Sequence, residues 1–573
     1  MLSAVGVRGP SCGSPAFELG LLQSKWIRHG SLRHAGCDRN SANARAGPMT
    51  SGHEVGLNPD SGNHVNDPDK RRVVPNAALA VGQVVVSAAT MFFLYRLLLS
   101  MLGVEALGVW SLVIATTSLA SVSNMGLAGG AVRFVSKYLA QDSPSKAASA
   151  VETSILSVAA IAAVVVLALW PVTRWLVTLA VPPDWAEPAR ELLPYTLVGL
   201  WLQSVGGTVL SGLDGCHRAG VRSKVTMATQ PLILLFGVWL VPRLGLRGIA
   251  IAQLLQSAVW LVLGWILLRK YLSSLSRVPR RWSREMFVEM WRYGLNFQAI
   301  TILTILGDPI AKASISHFGG LAALGYFEMA NRLVNQIRSI LIAANQVLIP
   351  YYSKVAEVSR ETVRTIYQKN LSAVTLSAAL GFSSLITLMP LISSLWIGRV
   401  EQQFLLFAVL LSVGMFIAAL SVPAYFANLG GGWISRNLAG NLALTVAMIA
   451  LGVAGGMVGG ARGAVVGYCL SLIVGSVTVL GVFHRAEAIP IAVLFSKAAL
   501  KTGCVGTAMA TFGFVSSLLL VESVSLAAAM LASALVLAFG WALILVLVPE
   551  LAALMHEMGS RIRPTSVADA CDR

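Results

Sequence analysis

Charge is what this sequence has least of. Only 12% of its 573 residues are charged, against 56% that are hydrophobic, and a soluble domain carries roughly twice that charged share. A soluble chain of this length is therefore excluded. The six cysteines, at 12, 37, 216, 469, 504 and 571, form no CxxC pair and no metal-ligand spacing, so neither a disulfide framework nor a metal centre is indicated. No stretch reads G-x-x-x-x-G-K-[ST], which argues against direct fuelling by ATP, and no hydrolase or dinucleotide signature stands in a suitable context. No cofactor is expected. The short alternating segments of a membrane β-barrel are missing too.

What is present is apolar and long. Mean hydropathy is +0.72, and the apolar residues fall in blocks of roughly 20, the length of a helix that crosses about 30 Å of hydrocarbon. Blocks lie near 77–100, 106–128, 149–170, 190–212, 223–243 and 245–268, then near 292–318, 322–348, 366–397, 402–427, 436–458 and 461–483. A last pair lies near 492–519 and 525–548. The pattern predicts an all-α integral membrane protein with about 14 transmembrane helices. Residues 1–72 are polar, without periodicity or a signal-peptide core, and read as a disordered tail in which Met49 is a candidate translation start. Residues 551–573 form a second polar tail.

The formal charge of +17 does not point to nucleic acid, because the basic residues sit in short loops between apolar blocks. They cluster at the N-terminal flank (Lys70, Arg71, Arg72) and after even-numbered blocks, most densely at Arg269, Lys270, Arg277, Arg280, Arg281 and Arg284. The positive-inside rule then predicts both termini in the cytoplasm.

Internal self-similarity organises the rest. A shift of 217 residues lays Gly103 on Gly320, Ala106-Leu107-Gly108 on Ala323-Leu324-Gly325, and Ser136-Lys137 on Ser353-Lys354. A shift of 215 lays Gly245-Leu246-Arg247-Gly248 on Gly460-Ala461-Arg462-Gly463. Six helices per copy is an even number, so the copies are parallel lobes related by an axis along the membrane normal. The predicted division is an N-lobe over 73–270, a basic linker over 271–291, a C-lobe over 292–485, and two additional helices over 486–550.

Charged groups inside apolar blocks are costly, by roughly 2.5–3.5 kcal/mol each on insertion scales, so each is a candidate functional residue. The eighth block carries Glu328, Asn331, Arg332, Asn335, Gln336, Arg338, Asn345 and Gln346 within one half of its helical surface. Such a face lines a wet cavity if the block spans. A helix lying flat at the interface, or a polar seam against a neighbour, is the plainer alternative, and the alternation of loop charge favours the span. Glu328 and Arg332 are four apart and can pair; Arg338 has no local partner and suits an anionic ligand, since guanidinium grips phosphate or carboxylate with two donors.

The seventh block adds Thr301, Thr304, Asp308 and Lys312 on one stripe, where Asp308 and Lys312 either neutralise each other or serve the cavity. Pro309 is a candidate hinge. In the first copy the matching face offers only Ser111, Thr116, Ser118, Ser121, Ser123 and Asn124, with Arg96 near the outer end of the first block.

LGVEALGVWSLV (102–113) followed by NMGLAGGAVRFVSKYLA (124–140) resembles the opening helices of lipid-linked oligosaccharide flippases, the polysaccharide-biosynthesis (Wzx-type) branch of the MATE-like superfamily. GDPIAKASISHFGGLAALGYFEMANRL (307–333) is similar to that family's second-lobe opening, and PRLGLRGIAIA (242–252) to its turn before the sixth helix. The resemblance implies two lobes around a central cavity in a bacterial inner membrane. It also implies transport of an undecaprenyl-diphosphate-linked oligosaccharide between leaflets for cell-surface or exopolysaccharide synthesis. The implied partners are that polyprenyl-diphosphate-linked glycan, a coupling ion (H+ or Na+), and polymerase and chain-length proteins of the same pathway. Asp308, Lys312, Glu328, Asn331, Arg332, Asn335 and Arg338 are the candidate cavity residues; Arg96, Asn124, Arg133 and Pro309 are candidates for gate or hinge. A drug or cation antiporter of the same superfamily and a peptidoglycan-precursor flippase are the rival readings. An enzyme is not expected, since the external junctions are about 20 residues or fewer, too short for a catalytic domain.

Overall fold

Glycines at positive φ break three long helices into hairpins, and this sets the architecture. The computed structural model describes residues 70–124, 126–356 and 359–547. Helix α1 (Lys70–Ser118) turns at Gly103 and runs on through a 3-10 turn (Leu119–Asn124) into α2 (Leu127–Ala140). Then come α3 (Pro144–Ala180), α4 (Pro183–Gly215), α5 (Ala219–Thr229), α6 (Leu232–Leu244) and α7 (Leu246–Tyr271). The second copy begins with α8 (Arg284–Gln346), which turns at Gly320, and continues with α9 (Ile349–Ala356), α10 (Arg360–Ile397), α11 (Gln402–Ala419) and α12 (Val422–Gly430). Helix α13 (Ile434–Ala486) turns at Gly459 and Gly460, and α14 (Lys497–Ser523) and α15 (Leu526–Leu547) close the chain.

Ten of the described stretches are long and apolar enough to cross a membrane. Splitting α1 and α13 into their limbs, and adding the two limbs of α8, which is not among the ten, gives fourteen segments among the described residues. The eighth block thus joins the seventh in a single hairpin.

The repeat is visible in the backbone itself. Gly103 has φ 81°, ψ 173° and Gly320 has φ 76°, ψ 176°. Gly245 has φ 57°, ψ −132° and Gly460 has φ 57°, ψ −140°. These angles are open to glycine and strained for residues bearing a Cβ. Close packing obeys the same symmetry. A Cβ on Gly108 would collide with the carbonyl oxygen of Leu321, and one on Gly325 with that of Val104. Adding 217 turns each first-lobe residue of these contacts into the second-lobe residue of the other, as an isologous two-fold contact requires. Apolar packing is continuous across this axis, with Leu98, Leu107 and Leu112 in one cluster with Leu324, Phe327 and Leu411.

The connection between the copies is shorter than the expected 271–291. Helix α7 ends at Tyr271 and α8 starts at Arg284, because Ser283 caps it by accepting from Met286 N and Glu285 occupies the first turn. Residues 272–283 are also anchored. The buried Glu152 of α3 accepts backbone N–H groups from Ser276 (3.1 Å), Arg280 (2.9 Å) and Arg281 (2.8 Å). Trp282 Nε1 donates to Ser157 Oγ at 3.0 Å, and Ser283 N to Thr153 Oγ1 at 3.2 Å. The first helix begins at Lys70, three residues before the expected start. Met49, residues 1–69, the tail over 551–573 and the side chains of Asn124, Thr301 and Thr304 lie outside what is described.

Candidate functional site

The two hairpins α1 and α8 pack along each other, and their polar groups meet eight residues from each glycine turn, about 12 Å along the helix. Glu328 is the centre. Its carboxylate accepts from Tyr95 Oη (3.1 Å) and Ser111 Oγ (2.9 Å) of the first lobe. From its own lobe it receives Arg332 Nε (2.6 Å) and Lys312 Nζ (2.8 Å). Lys312 also pairs with Asp308 at 2.9 Å. Four donors use the acceptor sites that a carboxylate offers, which is what burial of the charge demands. Glu328 and Lys312 are only 1% and 2% exposed.

This knot is built from repeat mates. Ser111 and Glu328 are separated by 217 residues, and so are Tyr95 and Lys312. Side chains close to a two-fold axis meet their own equivalents, so the axis brings the four together.

The charged groups of this knot cancel one another. Asp308, Lys312, Glu328 and Arg332 sum to zero, and Lys312 is sequestered in two ion pairs instead of facing water. Arg332 is different: its side chain is 41% exposed and reaches a cavity of about 520 Å³. All other lining residues come from the first lobe. Helix α1 supplies Met91, Trp110 and Ile114; α4 supplies Gln203 and Ser204; α5 supplies Thr226. Gln230, in the bend before α6, and Gln253, Gln256, Ser257 and Trp260 of α7 complete the polar part. Among the described residues that line it, none is a carboxylate.

The remaining sequence candidates divide. Asn331 is buried and accepts, through Oδ1 (2.7 Å) and its carbonyl oxygen (2.8 Å), from Asn335 Nδ2, so the two satisfy each other along α8. Arg338 is exposed and has no ion pair among the described residues. Arg96 is exposed at a separate pocket of about 600 Å³, beside Arg399 and Trp396. Trp396 stacks on Phe92 and Tyr95 at 5.2 and 5.8 Å and donates to the Phe92 carbonyl at 2.8 Å, which seals the lobes there. Arg133 is exposed on α2, its guanidinium 5.9 Å from the Phe134 ring centroid. Pro309 is buried in α8, and the helix passes it with helical φ/ψ; the non-helical point is Gly320.

Sequence reading missed Tyr95 and the glutamine–tryptophan wall. A signal existed for the wall: Gln253, Gln256, Ser257 and Trp260 recur at three- and four-residue spacing, one stripe of a single helix face.

A MatE family model matches residues 80–239, and a family model described as polysaccharide biosynthesis protein matches residues 218–398. No curated protein matches the chain by sequence. An inward-facing multidrug resistance MATE family transporter of the MOP superfamily is 16% identical, covers 72% of this chain and 99% of its own, and has a TM-score of 0.60. The lipid II flippase MurJ, in an inward closed conformation, is 12% identical, covers 83% of this chain and 99% of its own, and has a TM-score of 0.61. At such identities these likenesses speak to the fold, and the fold agrees with the family models. The chain is a multi-pass membrane protein with the fold of MATE transporters and MurJ, carrying a MatE match over its first lobe and a polysaccharide-biosynthesis match through its middle.

Proposed function

We propose that the chain carries a polyprenyl-diphosphate-linked oligosaccharide, of the undecaprenyl type, from the inner to the outer leaflet of a bacterial inner membrane, with both termini cytoplasmic. The observation that carries this reading is the half-exposed Arg332 guanidinium on the wall of a polar cavity that has no carboxylate among its described lining residues. A diphosphate and its sugars cannot cross hydrocarbon unaided, whereas a prenyl tail can remain in lipid. Guanidinium suits the diphosphate because it binds its oxygens through paired donors. An apolar crevice of about 530 Å³ between α10, α11 and α14, edged by the exposed Val413 and Val515, offers surface on which a tail can rest.

A cation antiporter needs an acid that faces its cargo. Glu328 is buried under four donors, and Asp308, though 47% exposed, is paired with Lys312 and does not line the cavity that Arg332 reaches, so that cavity lacks the group a cation would need.

The test is a deletion in the native host, followed by identification of lipid-linked glycan on each leaflet. A polyprenyl-diphosphate-linked glycan should accumulate on the cytoplasmic leaflet. At matched expression, Arg332→Ala should cut export by about tenfold or more, the loss of one charge-assisted contact, and Arg332→Lys should keep part of it. Normal glycan distribution in the deletion strain overturns the proposal.

A further inference from the structure

The first-lobe side of the cavity has a chemistry that a diphosphate does not require. Four carboxamides (Gln203, Gln230, Gln253 and Gln256) and two indoles (Trp110 and Trp260) share one wall. Two of their polar atoms, Trp110 Nε1 and Gln253 Oε1, are buried and have no hydrogen-bond partner. Gln230 and Gln256 make no side-chain hydrogen bond with any described residue. Buried donors and acceptors are normally satisfied, and leaving one unpaired costs roughly 1–3 kcal/mol. The wall thus combines an orphaned donor, an orphaned acceptor and uncommitted amides in one place.

We infer that this wall seats the sugars nearest the diphosphate, and that those sugars carry no charge. The inference rests on the function proposed above. A carboxamide donates and accepts at once, which matches a pair of neighbouring hydroxyls, each of which also does both. Indole faces cover the apolar C–H face of a pyranose ring while the N–H takes an oxygen. Helical spacing supports joint action, since Gln253, Gln256 and Trp260 project from the same side of α7.

Exclusion of charge follows from what lines the wall. A uronic acid would enter among neutral amides, and Arg332, the one cation among the described lining residues, already spends Nε on Glu328. An amino sugar with a free ammonium would find no carboxylate among those residues. Desolvation of either charge without a partner is unfavourable. Neutral hexoses and N-acetylated hexosamines pass both filters.

Binding to the purified full-length protein in detergent decides the matter, with three synthetic probes that share one short polyprenyl diphosphate. The first carries no sugar, the second an N-acetylhexosamine and the third a hexuronic acid. The N-acetylhexosamine probe should bind about tenfold more tightly than the sugar-free one, and the uronate no more tightly. Gln253→Met, which keeps the volume but removes the amide, should abolish that gain while leaving affinity for the sugar-free probe in place. Trp110→Phe gives the same reading if Gln253→Met fails to fold. A tighter uronate probe, or a neutral-sugar gain that survives both substitutions, overturns the inference while the flipping proposal stands. Failure of the sugar-free probe to bind, or its indifference to Arg332→Ala, overturns the parent proposal instead.

Discussion

At positions related by 217 residues the first lobe has Met91, Tyr95, Ser111 and Ala115 where the second has Asp308, Lys312, Glu328 and Arg332. The backbones around them are nearly superimposable at the glycine turns, and the close contacts of Gly108 and Gly325 mirror each other. One plan has therefore been filled twice with different chemistry. These four charges balance, so together they create little net field. They bind the lobes together through Tyr95 and Ser111 and leave Arg332 partly free. The first lobe, uncharged at these four positions, supplies the wall of amides and indoles. Cohesion and recognition are thus divided between copies of the same fold.

This contrast can be broken most directly at the knot. Glu328→Ala strands Lys312 in a dry site with only Asp308 and should cost about 3–5 kcal/mol, read as a lower thermal midpoint of the detergent-purified protein. Ser111→Ala removes one neutral donor and should cost only about 1 kcal/mol. Equal losses would mean that the lobes contribute alike.

Symmetry itself is tested next. Gly108→Val and Gly325→Val each drive a side chain into a facing carbonyl and should cost roughly 1–3 kcal/mol, to similar extents in the same thermal assay. Tolerance of one but not the other would remove the two-fold axis from the account. A sharper variant moves the carboxylate across that axis. Ser111→Glu combined with Glu328→Ser should recover a measurable part of what Glu328→Ser loses, with a coupling of about 0.5–3 kcal/mol in a double-mutant cycle.

The smallest effect is expected at the connection between lobes. Glu152→Gln keeps the shape but weakens acceptance from three backbone N–H groups. A loss of about 1 kcal/mol should appear as faster tryptic cutting at Arg277, Arg280 and Arg281.

Much of the fold was legible because it obeys one-dimensional rules. Segment length, loop charge and a fixed offset between small-residue steps predicted the helix count and the repeat, and the dihedral angles of Gly103 and Gly320 agree with that offset. Local pairing was legible as well, since Glu328 and Arg332 are one helical turn apart. Pairing between lobes was not, although the offset already laid Ser111 over Glu328; what was missing was the knowledge that these two positions lie on the axis. The glutamines were overlooked because uncharged polar residues barely disturb an apolar block.

Glu152 bears on how the halves could tilt. With residues 276–283 tied to α3 by main-chain and indole bonds, the peptide joining the lobes travels as an appendage of the first. The opening turns of α8 ride with the first lobe as well, through Met286, Phe287 and Met290 in its core and the Lys137–Glu289 pair, so bending must be absorbed farther along α8, beyond Gly294. The pivot for any rocking is a stretch of helix, and the connecting strap acts as its mounting.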